Sequence, residues 1–406
     1  MAGHSPAANR CAAPVTKVDA RLEIGYNGYQ CFELYSPAPN HRTPGGRDGV
    51  QGQECAVQPY VRETIAKAKK RRTDLGKVVF VTFLRCLAVC AAVAGPCLAE
   101  IPDFYKRVNQ VTWLVKNMDR PLQGWSTLGL SDVHDYGQIT LDAQYRGKGV
   151  SIGARVVTGS LGNLTVEMLQ PGQGDNAFTD FLTRHGDGIF SIVHEVAAIE
   201  EMTKEIERMR GLGVGVLQQM TINVGNSPIT LTFFDTEAQG KYVLGLIYRP
   251  GGAPPAGAPG KISHIAFVAR QAEPVSAFWQ MLGFPPMPKA HASPREDSRY
   301  HGKPLWLDFD VCWQRHTQFT YEWIIPPANP PSLYADYLKT HGEGVHHLGL
   351  PVDDLEKSIA EYQKLGYTVA QSGAWGETGK KGSGRYAYMD TDSIGGVFAE
   401  LIRAIK

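Results

Sequence analysis

After residue 100 the chain holds one cysteine, Cys312. The long C-terminal part therefore cannot close an internal disulfide, which suits a reducing compartment and makes a cytoplasmic location the expectation. The other cysteines, Cys11, Cys31, Cys55, Cys86, Cys90 and Cys97, precede it, and no Cys-x-x-Cys pair occurs. Neither a zinc ribbon nor a thioredoxin-like motif is indicated. An excess of charge of one sign is lacking as well. A formal net charge of +1 gives no footprint for nucleic acid or for acidic partners. Long apolar runs are scarce. The exception is Val78 to Ala99, broken by Arg85 and preceded by Lys69-Lys70-Arg71-Arg72. It starts too far along the chain for a cleaved signal, and no methionine lies between Met1 and Met118. The favoured reading is a buried helix or strand pair; a membrane anchor or a misplaced start codon is the alternative.

What is present is ordinary for a globular protein: 43% hydrophobic and 20% charged residues over a length of 406, enough for two or three domains. The 44 glycines and 26 prolines predict many turns and short strands rather than a helical bundle. Residues 1–106 form an N-terminal extension. Within it Ala20 to Pro37 reads as two strands joined by the Asn27-Gly28 turn. Tyr60 to Arg72 reads as a basic helix. From Val108 the pattern becomes regular. Strands are expected at Val108–Val115, Ile152–Thr158, Leu164–Gln170 and Ile189–Val196. A helix over Ala197–Arg210 follows, with Ile199, Met202, Ile206 and Met209 at helical spacing. Strands Thr221–Val224, Thr230–Asp235 and Val243–Tyr248 complete a domain over 108–250. The run Gly251 to Gly260, rich in glycine and proline, is a linker.

Residues 261–406 repeat the scheme, with strands at Ile262–Val268, Trp306–Val311, Gln318–Ile325, Val345–Val352, Thr368–Gln371, Tyr386–Asp390 and Gly396–Ile402. Helices are expected near Pro274–Leu282, Ser332–Thr340 and Leu355–Leu365. Internal likeness supports a repeated unit. Gly25, Gly28, Glu33 and Pro37 have the same spacing as Gly159, Gly162, Glu167 and Pro171. Val196-Ala197-Ala198-Ile199-Glu200 parallels Val352-Asp353-Asp354-Leu355-Glu356. The unit is strand–helix–strand–strand–strand.

In the last domain His264 and His347 sit early on the first strand of each half, and Glu322 and Glu400 on the last strands. On alternating strands Phe398, Glu400 and Ile402 share a face, as do His264, Ala266 and Val268. A carboxylate on an apolar face is costly unless it is paired or bound to a cation. A lone strand histidine is more often a core or surface residue; four such groups at repeat-equivalent places point to one site. Two imidazoles and two carboxylates suit a divalent metal, Zn, Ni, Co, Mn or Fe. His346 is expected on the opposite face as a structural neighbour, and His341 and His316 as loop and surface residues.

With Ser263-His264-Ile265-Ala266-Phe267, the run Gly344 to Leu355, the strand Gly384 to Asp390 and the closing Phe398-Ala399-Glu400-Leu401-Ile402, the chain resembles the vicinal oxygen chelate superfamily. That superfamily includes glyoxalase I, methylmalonyl-CoA epimerase, extradiol dioxygenases, and fosfomycin-resistance and bleomycin-binding proteins. The likeness covers 261–406, extends in weaker form over 108–250, and is fragmentary over 17–40. It implies an α+β fold of tandem βαβββ modules paired into two half-barrel domains, with a partial module-like N-terminal extension. It also implies that His264, Glu322, His347 and Glu400 hold the metal. Dioxygenases of the family leave the Glu322 position without a carboxylate. Its presence tilts the reading toward the glyoxalase and epimerase branch: proton transfer or lyase chemistry on a small carbonyl or thioester substrate, with Glu322 or Glu400 as the proton shuttle. An Fe(II) extradiol-type dioxygenase using His264, His347 and Glu400 is the first alternative, and a non-catalytic small-molecule binder the second. Trp375, Arg385 and Tyr388 are the expected pocket residues. In 108–250 the equivalent positions are Gln110, Glu167, Ser191 and Gly245, so that domain is expected to hold no metal and to act as scaffold or substrate-shaping lobe. His194 is expected to face away from its pocket. A homodimer is open, and membrane contact through 78–99 is not favoured.

Overall fold

The structure, a computed structural model, describes residues 101–252 except 225–226, and residues 262–405 except 318. The hairpin at 20–37, the basic helix at 60–72, the apolar run 78–99 and most of the linker lie outside the described residues. Among the described residues no helix is long and apolar enough to cross a membrane.

The first domain begins β1 (Gln110–Leu114), α1 (Asp119–Thr127), β2 (Ser131–Tyr145), β3 (Lys148–Leu161) and β4 (Leu164–Pro171). After α2 (Ala177–His185) come β5 (Gly188–Val196), α3 (Ile199–Gly211), β6 (Val216–Val224), β7 (Ser227–Phe234), α4 (Glu237–Gly240) and β8 (Val243–Tyr248). The second domain begins β9 (His264–Val268), α5 (Ala272–Met281), β10 (Lys289–Ala292), β11 (Arg299–Tyr300), β12 (Lys303–Pro304), β13 (Phe309–Arg315) and β14 (Thr320–Ile325). It continues α6 (Leu333–Thr340), β15 (Gly344–Pro351), α7 (Leu355–Lys364), β16 (Val369–Trp375), β17 (Gly384–Met389) and β18 (Phe398–Ala404).

Each domain is a mixed α+β sheet folded on itself. The first closes into a barrel in the order β1-β4-β3-β2-β6-β7-β8-β5. The second stays open, in the order β10-β13-β14-β9-β15-β18-β17-β16-β11-β12. In both, the first strands of the two halves pair antiparallel, β1 with β5 and β9 with β15. Each also pairs parallel with the last strand of its own half. This is the paired-module arrangement the sequence pattern implies. The closure of the first barrel comes from the long β2–β3 hairpin, whose inner end reaches β6 over Asp142 to Tyr145.

The sequence reading has no counterpart for α1, β2, α2, α4, β10, β11 or β12. Helix α2 is only nine residues long, too short for a convincing apolar period. It is set by its cap: Asn176 accepts from the Phe178 and Thr179 amides, and the Thr179 hydroxyl accepts from the Asn176 amide. The sequence does carry a signal for it. Ala177-Phe178-Thr179-Asp180-Phe181-Leu182 parallels Leu333-Tyr334-Ala335-Asp336-Tyr337-Leu338 of α6, and both helices lead into His-Gly, at 185–186 and 341–342. Strand β13 also starts later than expected, leaving Trp306 at 58% exposure in the preceding loop.

One apolar cluster runs through both domains, joining Trp113, Val166 and Leu244 to Phe267, Trp279, Trp323 and Leu401. A second fills the first barrel. The two halves of the chain are thus packed on a shared core, and the open second sheet turns its concave face to solvent-accessible space.

Candidate metal centre

The centre is built by register. His264 pairs with Thr320 and Gly349, and His347 with Ala266 and Phe398. Glu322 pairs with Ala266, and Glu400 with Gly349. Four adjacent strands, in the order β14-β9-β15-β18, therefore each turn one ligand-type side chain to the same face. One ligand atom from each of His264, Glu322, His347 and Glu400 can be chosen so that all lie within 4.8 Å of one another. His264, His347 and Glu400 are buried, and Glu322 is half-buried toward the cavity.

Strand β15 does not run regularly here. Its register with β9 shifts between Val345 and His347, leaving His346 as the extra residue of a bulge. The sequence reading placed His346 on the opposite face by simple alternation; the bulge overturns that. His346 is buried against Tyr334, Tyr337 and Phe398, and its Nδ1 lies 2.8 Å from His347 Nδ1. Burial first, and then the neighbouring His347, push its pKa well below the ordinary value, so it is neutral. Its Nδ1 can accept a hydrogen bond from His347 Nδ1–H. His264 is held similarly. Its Nδ1 lies 3.2 Å from Ser263 Oγ, whose hydroxyl donates to the Gly349 carbonyl at 3.2 Å. In the tautomers that carry the proton on Nδ1, both rings donate to these partners and both Nε2 atoms present lone pairs to one point, as ligating imidazoles do.

The distances at that point fit a shared cation. The two Nε2 atoms are 3.0 Å apart. His264 Nε2 is 3.0 Å from Glu400 Oε2 and 3.3 Å from Glu322 Oε2; His347 Nε2 is 3.4 and 3.5 Å from the same atoms. Donors about 2.1 Å from a common ion stand about 3.0–3.4 Å from their neighbours in octahedral or tetrahedral arrangements. Glu400 Oε2, although close to both rings, accepts no well-directed hydrogen bond. Charge tells the same way. Burial lowers the His347 imidazole, but Glu400 and Glu322 outweigh it and push its pKa up to about 9. Burial raises the Glu400 carboxyl, yet His347 and His264 pull it well below the ordinary carboxylate range. Two carboxylates in a buried place attract positive charge, and the four residues form a cluster able to bind a divalent metal.

Above the cluster opens a cavity of about 250 Å³. Trp375 and Tyr388 line it, together with Leu305, Leu307, Phe309, Val311, Trp313, Tyr334 and Tyr386. Tyr388 hydroxyl is 2.9 Å from that of Tyr334, and its ring stands edge-on to His347. Arg385 requires correction. It is exposed, pairs with Glu356 at 2.5 Å, and does not line the cavity. On β17, Tyr386 and Tyr388 take the inner face, so the residue between the preceding glycine and Tyr386 must point outward. The cavity residues Trp313, Arg315 and Tyr334 were not singled out from sequence. The signal for the first two was the alternation Phe309, Val311, Trp313, Arg315, which ends in a cation.

The corresponding place in the first barrel is filled. By register Gln110, Glu167, Ser191 and Gly245 occupy the four positions. Glu167 is buried and accepts from Gln110 Nε2 at 3.1 Å and Thr112 Oγ1 at 2.9 Å. Burial raises its pKa against those bonds and Arg249. No two ligand-type side chains converge there. His194 is turned out of the barrel: it is buried against Tyr105, with Nδ1 2.5 Å from the Arg107 carbonyl. His341 and His316 are not the surface residues expected. His316 packs on Phe284 and Tyr321, and His341 lies between the domains, 2.7 Å from the His185 carbonyl.

Residues 263–388 match the family described as the Glyoxalase/Bleomycin resistance protein/Dioxygenase superfamily. No curated protein matches the chain by sequence. Among solved structures, a triple mutant of 4-hydroxymandelate synthase from Streptomyces coelicolor is 16% identical and superposes with a TM-score of 0.50, over 73% of this chain and 92% of its own. That likeness is one of fold. The Mn(II)-bound glyoxalase from Novosphingobium aromaticivorans is 12% identical, with a TM-score of 0.39 over 74% of this chain and 83% of its own. A catechol 2,3-dioxygenase is 12% identical, with a TM-score of 0.37 over 76% of this chain and 90% of its own.

Proposed function

From a chain whose segment 263–388 belongs to the vicinal oxygen chelate superfamily, we propose a metal-dependent enzyme that transfers a proton on a small carbonyl or thioester substrate, a lyase or isomerase of the glyoxalase and epimerase type. The observation that carries this reading is Glu322. A second carboxylate in the cluster, half-buried and open to the cavity, is more than three-ligand chemistry requires and is placed for work as a base. His264, His347 and Glu400 would hold the metal, with Glu322 as the fourth ligand. When bound, a divalent metal supplies Lewis-acid polarisation of a substrate carbonyl.

The protein's own groups divide the remaining work. Ser263 and His346 fix the two imidazoles. Glu322, the more exposed of the two carboxylates, takes the proton from the carbon beside the carbonyl and returns it. Tyr386, Tyr388 and the aromatic and aliphatic walls exclude water, so a carbanion-like transition state is not quenched. Glu400, deeper and buried, stays a ligand.

The test has two parts. Purified protein is analysed for metal, and solvent deuterium exchange is followed into 2-oxo, hydroxythioester and hemithioacetal substrates. A single metal per chain is expected, and exchange should fall by about two to four orders of magnitude in Glu322→Gln. Absence of stoichiometric metal, or a metal content unchanged in His347→Ala, would remove the site. Oxygen uptake with catechols under added iron, unimpaired in Glu322→Gln, would favour the dioxygenase reading instead.

A further inference from the structure

Among the described residues, the concave face of the second sheet carries one cationic side chain with no counter-ion. Along β13 the inner residues are Phe309, Val311, Trp313 and Arg315, and all four line the cavity. Besides His264 of the cluster, two other basic side chains line it, and both are engaged. His291 lies 2.5 Å from Asp308 and 3.2 Å from Asp310, and Arg295 pairs with Asp297 at 3.4 Å. The acidic residues lining the cavity are Glu322 and Glu400, which belong to the cluster. Arg315 makes no side-chain hydrogen bond or ion pair among the described residues. A free arginine on a convex surface is merely solvated. This one ends an apolar row on a concave wall, beside Trp313.

Its place relative to the cluster is fixed by register. Arg315 pairs with Thr320, and Thr320 with His264. Arg315 and His264 are therefore two strands apart, about 10 Å between backbones. Glu322 is the diagonal neighbour of Arg315 on β14, about 7–8 Å away. The span between guanidinium and cluster is that of one aromatic ring with its substituents, and the wall between them is Trp313 and Val311. We propose that Arg315 is the anion-recognising residue of this cavity, and that the substrate is an organic carboxylate. Its metal-facing oxygens would lie at the cluster, its apolar or aromatic body along β13, and its carboxylate on Arg315. A planar carboxylate matches the guanidinium fork, and the partly exposed rim lets it keep some of its water.

The inference rests on the metal-centred reading above and is tested so that the two can fail separately. The probes are benzohydroxamate, an oxygen chelator with an aromatic body and no charge on its ring, and 4-carboxybenzohydroxamate, which adds an anionic tail. Affinities for Mn(II)-loaded full-length protein are measured by calorimetry. The carboxylated probe should bind about tenfold more tightly or better. Arg315→Met should erase that difference, Arg315→Lys restore part of it, and Arg295→Met keep it. Equal affinity of the two probes for the unaltered protein would overturn the inference and leave the metal-centred reading standing. A preference that survives Arg315→Met but not Arg295→Met would overturn the assignment to Arg315. Failure of the probe without the tail to bind would overturn the metal-centred reading, and this inference with it.

Discussion

At the scale of single residues, the second domain has a centre because of what stands beside its ligands. A Cβ on Gly349 would lie 2.3 Å from His264 Cε1 and 2.4 Å from its Nδ1. The ring lies across the strand at a place only glycine leaves open. In the first barrel that position is Val193, its strand neighbour across β8 is Gly245 rather than a glutamate, and Gln110 stands where His264 does. Bulk and ligands have been exchanged together. Gly349→Ala is therefore expected to displace His264 and weaken Mn(II) binding by about 10–100-fold, while the circular dichroism spectrum stays that of the folded chain. Calorimetric titration checks it; unchanged affinity would mean that His264 does not need its present ring position.

The four clustered residues were legible because each lies on the first or the last strand of a repeated unit, and because the repeat aligned them. Arg385 was named for its charge, with a surface role as the alternative, and the alternation of a strand whose inner residues are Tyr386 and Tyr388 gives it that surface role. Arg315 and Tyr334 were not legible. The first belongs to the cavity only because β13 lies two strands from β9, and the second only because α6 covers the same concavity, which is tertiary information. His346 shows the limit of alternation: one extra residue in β15 brings a side chain expected on the outer face back to the inner one.

At the scale of elements, α2 and α6 are counterparts that do opposite things. In the first barrel Phe178 stands edge-on to Phe190 and Phe233, with ring centroids 5.5 and 5.8 Å away, and Phe181 joins them. A Cβ on Gly245 would lie 2.7 Å from Ser191 Oγ and 3.0 Å from Val193 Cγ2, with Phe233 next at 3.4 Å, so β5 and then the aromatic cluster crowd the space that a glutamate would need. In the second domain the equivalent residues are tyrosines. Tyr334 reaches the Tyr388 hydroxyl, and Tyr337 donates to the Val345 carbonyl at 2.6 Å. Those polar ends hold the helix at the rim and leave the concavity open. A plugged barrel should behave as core. Phe178→Ala is expected to cost about 3–5 kcal/mol in denaturant unfolding, and a loss below about 1 kcal/mol would show that α2 does not pack the barrel.

At the scale of the whole molecule, the two domains meet across a pseudo-two-fold contact. His185 follows α2 and His341 follows α6. His185 Nδ1 lies 2.6 Å from the His341 carbonyl, and His341 Nδ1 lies 2.7 Å from the His185 carbonyl. On their far sides, His185 Nε2 meets Glu237 at 2.6 Å and His341 Nε2 meets Asp392 at 2.9 Å. The segments carrying those acids seat tryptophans of the other domain. Trp279 donates to the Gly240 carbonyl, and Trp113 to the Gly395 carbonyl. The chain thus treats its two domains as partners in a dimer, with a histidine from each clasping the other.

The clasp has a pH dependence whose sign follows from its charges. Burial lowers the His341 imidazole, but Asp392, the His185 carbonyl and Asp187 outweigh it, so its pKa is raised above the ordinary value of 6.5. A raised histidine pKa contributes stability that is complete below the unfolded value and is lost as pH rises through the folded one. His341→Asn keeps a donor near the Nδ1 position but cannot take up a proton, so it should lose the charge contact to Asp392 and with it the dependence. The expected result is that the unaltered protein loses thermal stability on going from the ordinary histidine range into mild alkali, and that His341→Asn starts lower and changes less over the same interval. Buried His194 supplies the opposite slope on the acid side. Burial holds its pKa down at about 4, so the unfolded chain takes up its proton first and stability falls as pH drops from about 6.5 toward 4. If His341→Asn followed the unaltered protein across the alkaline limb, the domain contact would be held by its tryptophans and shared core alone.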